Sequence, residues 1–269
     1  MGTHGTGGCA GSSHGSGCSM PRDIHSSVRT VMTLRGYLAG TRDPRFNILM
    51  VVGLLSVYEA GMLLTGSPYR NAADLYLRRA LALLGPHAVQ GFHVFLLALL
   101  VIAAGSLLCR KVPAARYVPF FLMEAGAYAV LLSPAVFFIE SPLLEVGGVG
   151  DLLLDLGAGV YEELVFRFLL IRALIFILRA DPWHVFFSEN DRAPAAFWKI
   201  AGPLTVVVLA SSTAFALYHH WGSEAEPLTT GLFLFRFVAG LLLALVYFFR
   251  GLGMAVYTHA FYDVLVHLT

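Results

Sequence analysis

The chain of 269 residues has few of the charged side chains that keep a protein in water. Charged residues make up 13% of it, whereas soluble domains carry about a quarter. Hydrophobic residues make up 57%, and several apolar runs approach the ~20 residues needed to cross a bilayer. This composition predicts a polytopic membrane protein and excludes an ordinary soluble domain.

Net charge, patterned cysteines and a signal-peptide core are also lacking, and each absence excludes a class of function or structure. The net charge is only +1, which argues against a nucleic-acid partner because binding to phosphates requires an excess of Lys and Arg. The three cysteines have neither metal-site nor disulfide spacing. Residues 1–20 are rich in Gly, Ser and His and lack the apolar core of a signal peptide. We therefore predict a disordered or weakly ordered tail over residues 1–40 and a single transmembrane helical domain over residues 41–269.

The apolar runs predict an all-α membrane protein with about seven transmembrane helices, within a range of six to eight. The predicted spans cover 46–65, 91–109, 117–139, 151–179, 200–219, 231–249 and 252–268. The span 151–179 is long enough to be tilted, or broken near Gly157 and Gly159. Between the first two spans, residues 71–85 have apolar residues on one side and Arg78 and Arg79 on the other. That pattern predicts a helix at the membrane interface.

The stretch GVYEELVFRFLL, residues 159–170, places three ionisable residues inside an apolar span. Such a residue costs about 2.5–3.5 kcal/mol at the centre of a membrane helix on insertion scales. Glu163 and Arg167 are four positions apart, so they share a helix face and can form an ion pair. Glu162 is rotated by roughly 100° and cannot join that pair. Glu162 is therefore the carboxylate without a local partner, while Glu163 and Arg167 can simply stabilise each other.

Two further polar clusters lie in later spans. His219 and His220 end the fifth span and point in different directions, so at most one of them is expected to reach the site of Glu162. His259 and Asp263 are one helical turn apart in the last span. A carboxylate beside an imidazole sets its tautomer and raises its basicity. Each cluster alone is also compatible with an interfacial histidine or with a pair that holds helices together.

Taken together, the clusters are typical of a site that activates water and stabilises an oxyanion. They also fit a divalent metal such as zinc, with His219, His259 and either Glu162 or Asp263 as ligands. The sequence has no H-E-x-x-H motif and no activated serine or cysteine near a span histidine. Hydrolysis by water is therefore the chemistry that these residues best allow.

A transporter is a second class of function that the buried charges permit. Glu59, Glu124 and Arg236, which lie in other spans, would then be further members of an ion or proton path. No internal repeat or paired broken segments are visible in the sequence, as many transporters would have. A proteolytically inactive protein that binds a hydrophobic peptide is a further alternative.

The three motifs, in their order along the chain, resemble those of the CPBP family of CAAX-protease and bacteriocin-processing proteins, also called Abi. The motifs are E-E-x-x-x-R at 162–167, F-x-x-x-H at 215–219 and H-x-x-x-D at 259–263. Members of this family are glutamic intramembrane proteases, with the active site inside the helix bundle. The resemblance covers about residues 118–269, and the preceding spans show nothing diagnostic.

The resemblance implies a role for each residue of the motifs. Glu162 would be the general base, and His219 would help it to polarise the attacking water. Glu163 and Arg167 would order the site. Phe215 would pack beside His219.

The last motif departs from the family pattern, which often has Asn where this chain has Asp263. The resemblance implies that His259 and the residue four positions later contact the oxyanion. An ionised Asp263 cannot donate a hydrogen bond to an oxyanion. Either Asp263 is protonated in its apolar surroundings, or it orients His259.

These interpretations predict an intramembrane endopeptidase that cleaves a membrane-anchored peptide or protein during processing or maturation. No cofactor is predicted, and a divalent metal such as zinc is the alternative. The expected partners are membrane lipid and a hydrophobic peptide or protein substrate, without nucleic acid. The expected location is a bacterial inner membrane, which the chain crosses several times.

Overall fold

The computed structural model of the protein describes residues 33–66, 69–110, 114–137, 148–179, 193–222 and 225–268. Within these ranges all regular secondary structure is helical, which confirms the predicted all-α class. The helices are α1 (Leu34–Arg42), α2 (Pro44–Thr65), α3 (Ala72–Ala82), α4 (Ala88–Cys109), α5 (Ala114–Phe137), α6 (Val149–Glu163), α7 (Ile171–Leu178), α8 (Ala193–Tyr218), α9 (Thr230–Arg250) and α10 (Leu252–Leu268). A π-helical segment, Leu164–Leu170, joins α6 to α7.

The predicted N-terminal tail falls only partly on described residues. Residues 1–32 lie outside them, whereas α1 begins at Leu34, inside the segment expected to be weakly ordered. The hydroxyl of Thr33 accepts a hydrogen bond from the backbone N–H of Gly36 at 3.1 Å and so caps the first turn of α1. The described end of the predicted tail is therefore helical.

Five helices in the described part of the chain are long and apolar enough to cross a membrane. They are Pro44–Thr65, Ala88–Cys109, Ala114–Ser133, Ala201–Tyr218 and Thr230–Arg250. Each corresponds to one of the seven spans predicted from the sequence. The other two predicted spans, 151–179 and 252–268, contain the ionisable residues of the first and third motifs. The total of seven spans stays a prediction.

The helix that carries Glu162 is continuous through both of its glycines. α6 passes Gly157 and Gly159 without interruption, so of the two predicted alternatives the break at these positions is wrong, and a tilt of this span stays a prediction. The irregularity comes later, in the π-helical segment that starts directly after Glu163. Ser211 of α8 donates a hydrogen bond to the carbonyl oxygen of Phe166 in this segment at 3.0 Å. π-Helical turns within α-helices occur frequently at functional sites.

The two glycines instead allow neighbouring helices to come close to α6. A Cβ atom on Gly159 would lie 2.7 Å from the backbone nitrogen of Ala260 in α10. A Cβ atom on Gly157 would lie 2.5 Å from the ring of Tyr58 in α2. Because Gly159 has no side chain, the helices that carry the first and third motifs can pack backbone against backbone.

α3 directs its two neighbouring arginines to different surroundings. Asp74 is fully buried, and Arg78 binds it at 2.5 Å, so these two charged side chains face the protein. Leu75 is exposed, as is Arg79. Arg78 and Arg79, which were predicted to share the polar side of this helix, are therefore separated, because the guanidinium of Arg78 has carboxylate partners inside the bundle. The location of α3 at a membrane interface stays a prediction.

Candidate active site

The predicted pair of Glu163 and Arg167 forms and is completely enclosed. Arg167 Nη1 lies 3.1 Å from Glu163 Oε1, and neither side chain is more than 1% exposed. Arg167 also donates a hydrogen bond from Nη2 to the carbonyl oxygen of Gly240 at 3.2 Å, and its guanidinium lies 4.3 Å from the ring centre of Phe215. An aromatic face attracts a cation. Arg167 thus links the π-helical segment to α8 and α9, and its charge is balanced by Glu163.

Glu162 points away from that pair and towards the two motif histidines. Its Oε2 atom lies 3.6 Å from Nε2 of His219 and 4.0 Å from Nε2 of His259. Glu162 is buried, with 3% of its surface exposed, and Oε2 has no hydrogen-bond partner among the described residues. Three polar atoms from α6, α8 and α10 therefore converge on one small buried region.

His219 is held in one orientation by its own helix. Its Nδ1 atom lies 2.9 Å from the carbonyl oxygen of Phe215, which can only accept a hydrogen bond. Nδ1 must therefore carry a hydrogen, and in the neutral ring Nε2 is left with a lone pair. That lone pair faces Glu162, so a water molecule between them would meet two acceptors.

His259 lies between two carboxylates. Its Nδ1 atom is 2.8 Å from Oε1 of Glu163, and its Nε2 atom is 3.2 Å from Oδ2 of Asp263. Both ring nitrogens thus have a carboxylate oxygen within reach. Glu163 contacts both Arg167 and His259, so it connects the first and third motifs.

Phe215 contributes more than the packing expected from the sequence. Its ring is buried between the guanidinium of Arg167 and the imidazoles of His219 and His259, at 4.8 and 5.8 Å between ring centres. Its backbone carbonyl oxygen also sets the tautomer of His219.

His220, the residue after His219, instead contacts the carbonyl oxygen of Glu226 at 3.1 Å, away from Glu162.

One residue at the site was not singled out from the sequence. Asn71, directly before α3, donates a hydrogen bond from Nδ2 to Glu162 Oε1 at 3.3 Å. The sequence does predict a helix that starts near Asn71, and Asn is a favoured N-cap residue. Nothing in the sequence relates it to Glu162, which is 91 residues away.

The three charged residues considered for a transport path each have an ion-pair partner. Glu59 binds Arg78 at 2.7 Å and Arg70 at 3.2 Å. Glu124 binds Arg250 at 2.5 Å. Arg236 binds Glu226. In these pairs each charge is balanced locally.

The alternative of a bound metal requires at least three suitable ligand side chains close together. Among them, no group of three or more His, Cys, Asp and Glu residues has an arrangement that could hold a metal ion. Glu162, His219 and His259 do converge, but at separations of 3.6 and 4.0 Å between Oε2 and the Nε2 atoms.

The fold and the convergent residues define a helical membrane protein with a buried glutamate–histidine site. Residues 151–265 match a family model described as type II CAAX prenyl endopeptidase Rce1-like. This match contains all three motifs, and it confirms the resemblance of this part of the chain to the CPBP family of intramembrane endopeptidases. The match indicates a peptide hydrolase, and the five long apolar helices indicate an integral protein that spans the membrane several times. No curated protein and no solved structure matches the chain.

Proposed function

We propose that this endopeptidase cleaves a membrane-anchored peptide or protein with a water molecule activated by Glu162 and His219. The observation that carries the proposal is the position of Glu162 Oε2. This atom is buried and lies between the Nε2 atoms of His219 and His259, at 3.6 and 4.0 Å. Glu163, the other acid of the motif, is already bound to Arg167 and His259.

In the proposed reaction, the water donates hydrogen bonds to Glu162 Oε2 and to the lone pair on His219 Nε2. The water oxygen attacks the carbonyl carbon of the scissile peptide bond, and one water proton moves to Glu162. A tetrahedral intermediate forms with a negative charge on the former carbonyl oxygen. When the C–N bond breaks, the proton on Glu162 passes to the leaving nitrogen, which departs as an amine. A general base of this kind contributes about 10²–10⁴-fold to the rate.

His259 is the proposed donor to the oxyanion. In this role the ring is the imidazolium, balanced by the two carboxylates beside it: Nδ1–H is donated to Glu163 at 2.8 Å, and Nε2–H is the donor that the oxyanion would meet. Asp263 lies 3.2 Å from Nε2, next to the space that the oxyanion would enter. We therefore assign Asp263 the role of orienting His259 rather than that of a direct oxyanion donor.

The proposed substrate class follows from the family and from the apolar surroundings of the site. The matched family description names a CAAX prenyl endopeptidase, which makes prenylated C-terminal peptides one candidate class. Leader peptides and the precursors of signalling peptides are the other candidates, in keeping with a processing or maturation role. A bacterial inner membrane is the proposed location.

The test uses the full chain reconstituted in liposomes and a panel of internally quenched peptides, including a farnesylated CAAX peptide. Glu162→Gln and His219→Ala should each lower kcat by about 10²-fold or more, because each removes a group that contacts the water. His220→Ala is the matched control and should keep the wild-type rate, because His220 faces Glu226 instead. Wild-type cleavage by Glu162→Gln or by His219→Ala would refute the proposed mechanism.

The same assay separates the metal-dependent alternative. Elemental analysis would show whether the purified protein contains a metal. The kcat would then be measured before and after chelation. Loss of activity on chelation, with recovery on addition of Zn²⁺, would support Glu162, His219 and His259 as metal ligands. A kcat unaffected by chelation in metal-free protein would support the water mechanism without metal.

A further inference from the structure

The N-terminal end of α3 lies against Glu162. Asn71, the residue before α3, has its Nδ2 atom 3.3 Å from Glu162 Oε1. Among the residues that the structure describes, Asn71 is the hydrogen-bond donor to the Glu162 carboxylate, and Oε2 has no hydrogen-bond partner. The two oxygens of Glu162 are thus distinguished: Asn71 binds one, and the other faces the histidines.

The orientation of the Asn71 amide is set by the helix that it caps. Its Oδ1 atom accepts a hydrogen bond from the backbone N–H of Ala73 at 2.8 Å. An N-cap side chain must present an oxygen to this N–H. A flipped amide would lose the cap, so the NH₂ group remains directed at Glu162.

A cluster of ion pairs holds α3 in place. Buried Asp74 contacts Arg70 at 2.9 Å and Arg78 at 2.5 Å. Both arginines also contact Glu59 of α2, at 3.2 and 2.7 Å. Although burial alone would lower the pKa of Arg70, its hydrogen bond to Asp74 and the charge of Glu59 raise that pKa above its usual range. Arg70 therefore stays charged, and this cluster fixes the start of α3, where Asn71 is located.

We propose that Asn71 is a positioning residue that holds the carboxylate of Glu162 through Oε1, so that Oε2 is directed at the water between His219 and His259. This inference rests on the proposed role of Glu162 as the general base. The terminal torsion of a glutamate side chain is broad, so an unbound carboxylate would rotate freely. A hydrogen bond from a fixed amide restricts that rotation before substrate binds.

Three substitutions at one position separate positioning from helix capping. Asn71→Ser keeps a capping oxygen but has no amide to reach Glu162. Asn71→Asp keeps the cap and places a second acceptor opposite Glu162. Asn71→Ala removes both interactions.

For Asn71→Ser we expect kcat on the peptide that the wild type cleaves to fall about tenfold or more, with KM and the unfolding temperature unchanged. Tenfold corresponds to about 1.4 kcal/mol, close to the low end for a hydrogen bond to a charged group. Asn71→Asp should lose at least as much activity. Asn71→Ala should lose activity similarly and also unfold at a lower temperature, because the cap of α3 is lost.

A second readout does not depend on catalysis. Dicyclohexylcarbodiimide is a lipid-soluble reagent that modifies protonated carboxylic acids, and mass spectrometry of the reconstituted protein measures its rate of reaction at Glu162. Loss of the Asn71 donor favours the protonated acid. We therefore expect Asn71→Ser to react several-fold faster at Glu162 than the wild type.

The two readouts distinguish failure of this inference from failure of the proposed function. If the wild type cleaves no peptide of the panel, the proposed function fails, and the labelling rate alone decides the role of Asn71. Asn71→Ser with wild-type labelling overturns the positioning role, and so does Asn71→Ser with wild-type kcat in active protein. A loss of kcat that only accompanies a lower unfolding temperature would show that Asn71 is purely structural, which also overturns the inference.

Discussion

The close contact between Gly159 of α6 and Ala260 of α10 can be tested with a single methyl group. Gly159→Ala would place a Cβ atom 2.7 Å from both the Cβ and the backbone nitrogen of Ala260. Ordinary contacts of this kind begin at 3.4 Å, so the added methyl group is about 0.7 Å too close. Backbone cannot move aside as the end of a flexible side chain can, so α6 and α10 must separate.

The consequences follow from distances across the same pair of helices. A separation of about 0.7 Å would lengthen the Glu163–His259 hydrogen bond from 2.8 Å to about 3.5 Å, beyond useful geometry. It would also increase the 4.0 Å distance from Glu162 Oε2 to His259 Nε2. Overpacking costs about 1–3 kcal/mol of stability, and a displacement of 1 Å in an active site can cost about 10²-fold in rate. We expect Gly159→Ala to lower the unfolding temperature and to reduce kcat by roughly 10- to 100-fold.

Gly53→Ala is the matched control. Gly53 is also a helical glycine, but nothing lies within 4 Å of an added Cβ atom. The substitution there should stabilise α2 by roughly 0.5–1 kcal/mol through helix propensity and leave kcat unchanged. Both variants would be compared in liposomes for peptide cleavage and in detergent for thermal unfolding. Wild-type stability and kcat in Gly159→Ala, or equal losses in Gly53→Ala, would contradict the close-packing argument.

Three further predictions test the neighbouring contacts. Asp263→Ala should lower kcat about 10–100-fold because His259 loses its orienting carboxylate. Asp263→Asn should lower kcat by less, and equal rates of peptide cleavage in the two variants would disprove the orienting role. Arg167→Met should destabilise the protein by about 3–5 kcal/mol in chemical denaturation, because it leaves buried Glu163 without the guanidinium that binds it. Adding Glu163→Gln should recover part of this loss, and strictly additive losses of the two substitutions would count against the pair. Ser211→Ala should cost about 1 kcal/mol in the same assay, since the π-helical segment loses a hydrogen bond; an unchanged free energy of unfolding would show that this bond does not matter.

The local part of the site could be predicted from sequence spacing alone. A spacing of four positions places Glu163 and Arg167 on one helix face, and the ion pair at 3.1 Å agrees with this. Glu162, one position earlier, is rotated by roughly 100° from Glu163 around the helix axis. Its carboxylate indeed points away from the pair, towards His219 and His259 on other helices. The spacing of His259 and Asp263 likewise predicted a contact that the structure has at 3.2 Å.

Predictions failed where packing between distant segments competes with local pattern. Gly157 and Gly159 resembled a helix break, but they are positions where α2 and α10 approach α6 closely. Arg78 was expected to lie on the same side of α3 as Arg79, but it lies against buried Asp74 inside the bundle. In both cases the outcome depends on a contact inside the packed bundle. The local sequence pattern does not predict that contact.

The amino-acid sequence by itself determined the class of the protein, because a shortage of charge and long apolar runs leave the bilayer as the only suitable solvent. It also determined which carboxylate lacks a local partner, because helix geometry follows directly from residue spacing. Only the tertiary structure decided that Oε2 of Glu162 faces the histidines while Oε1 is bound by Asn71. The physical reason is that a hydrogen bond across 91 residues depends on how α3 and α6 pack, and that packing depends on ion pairs and glycine contacts throughout the bundle.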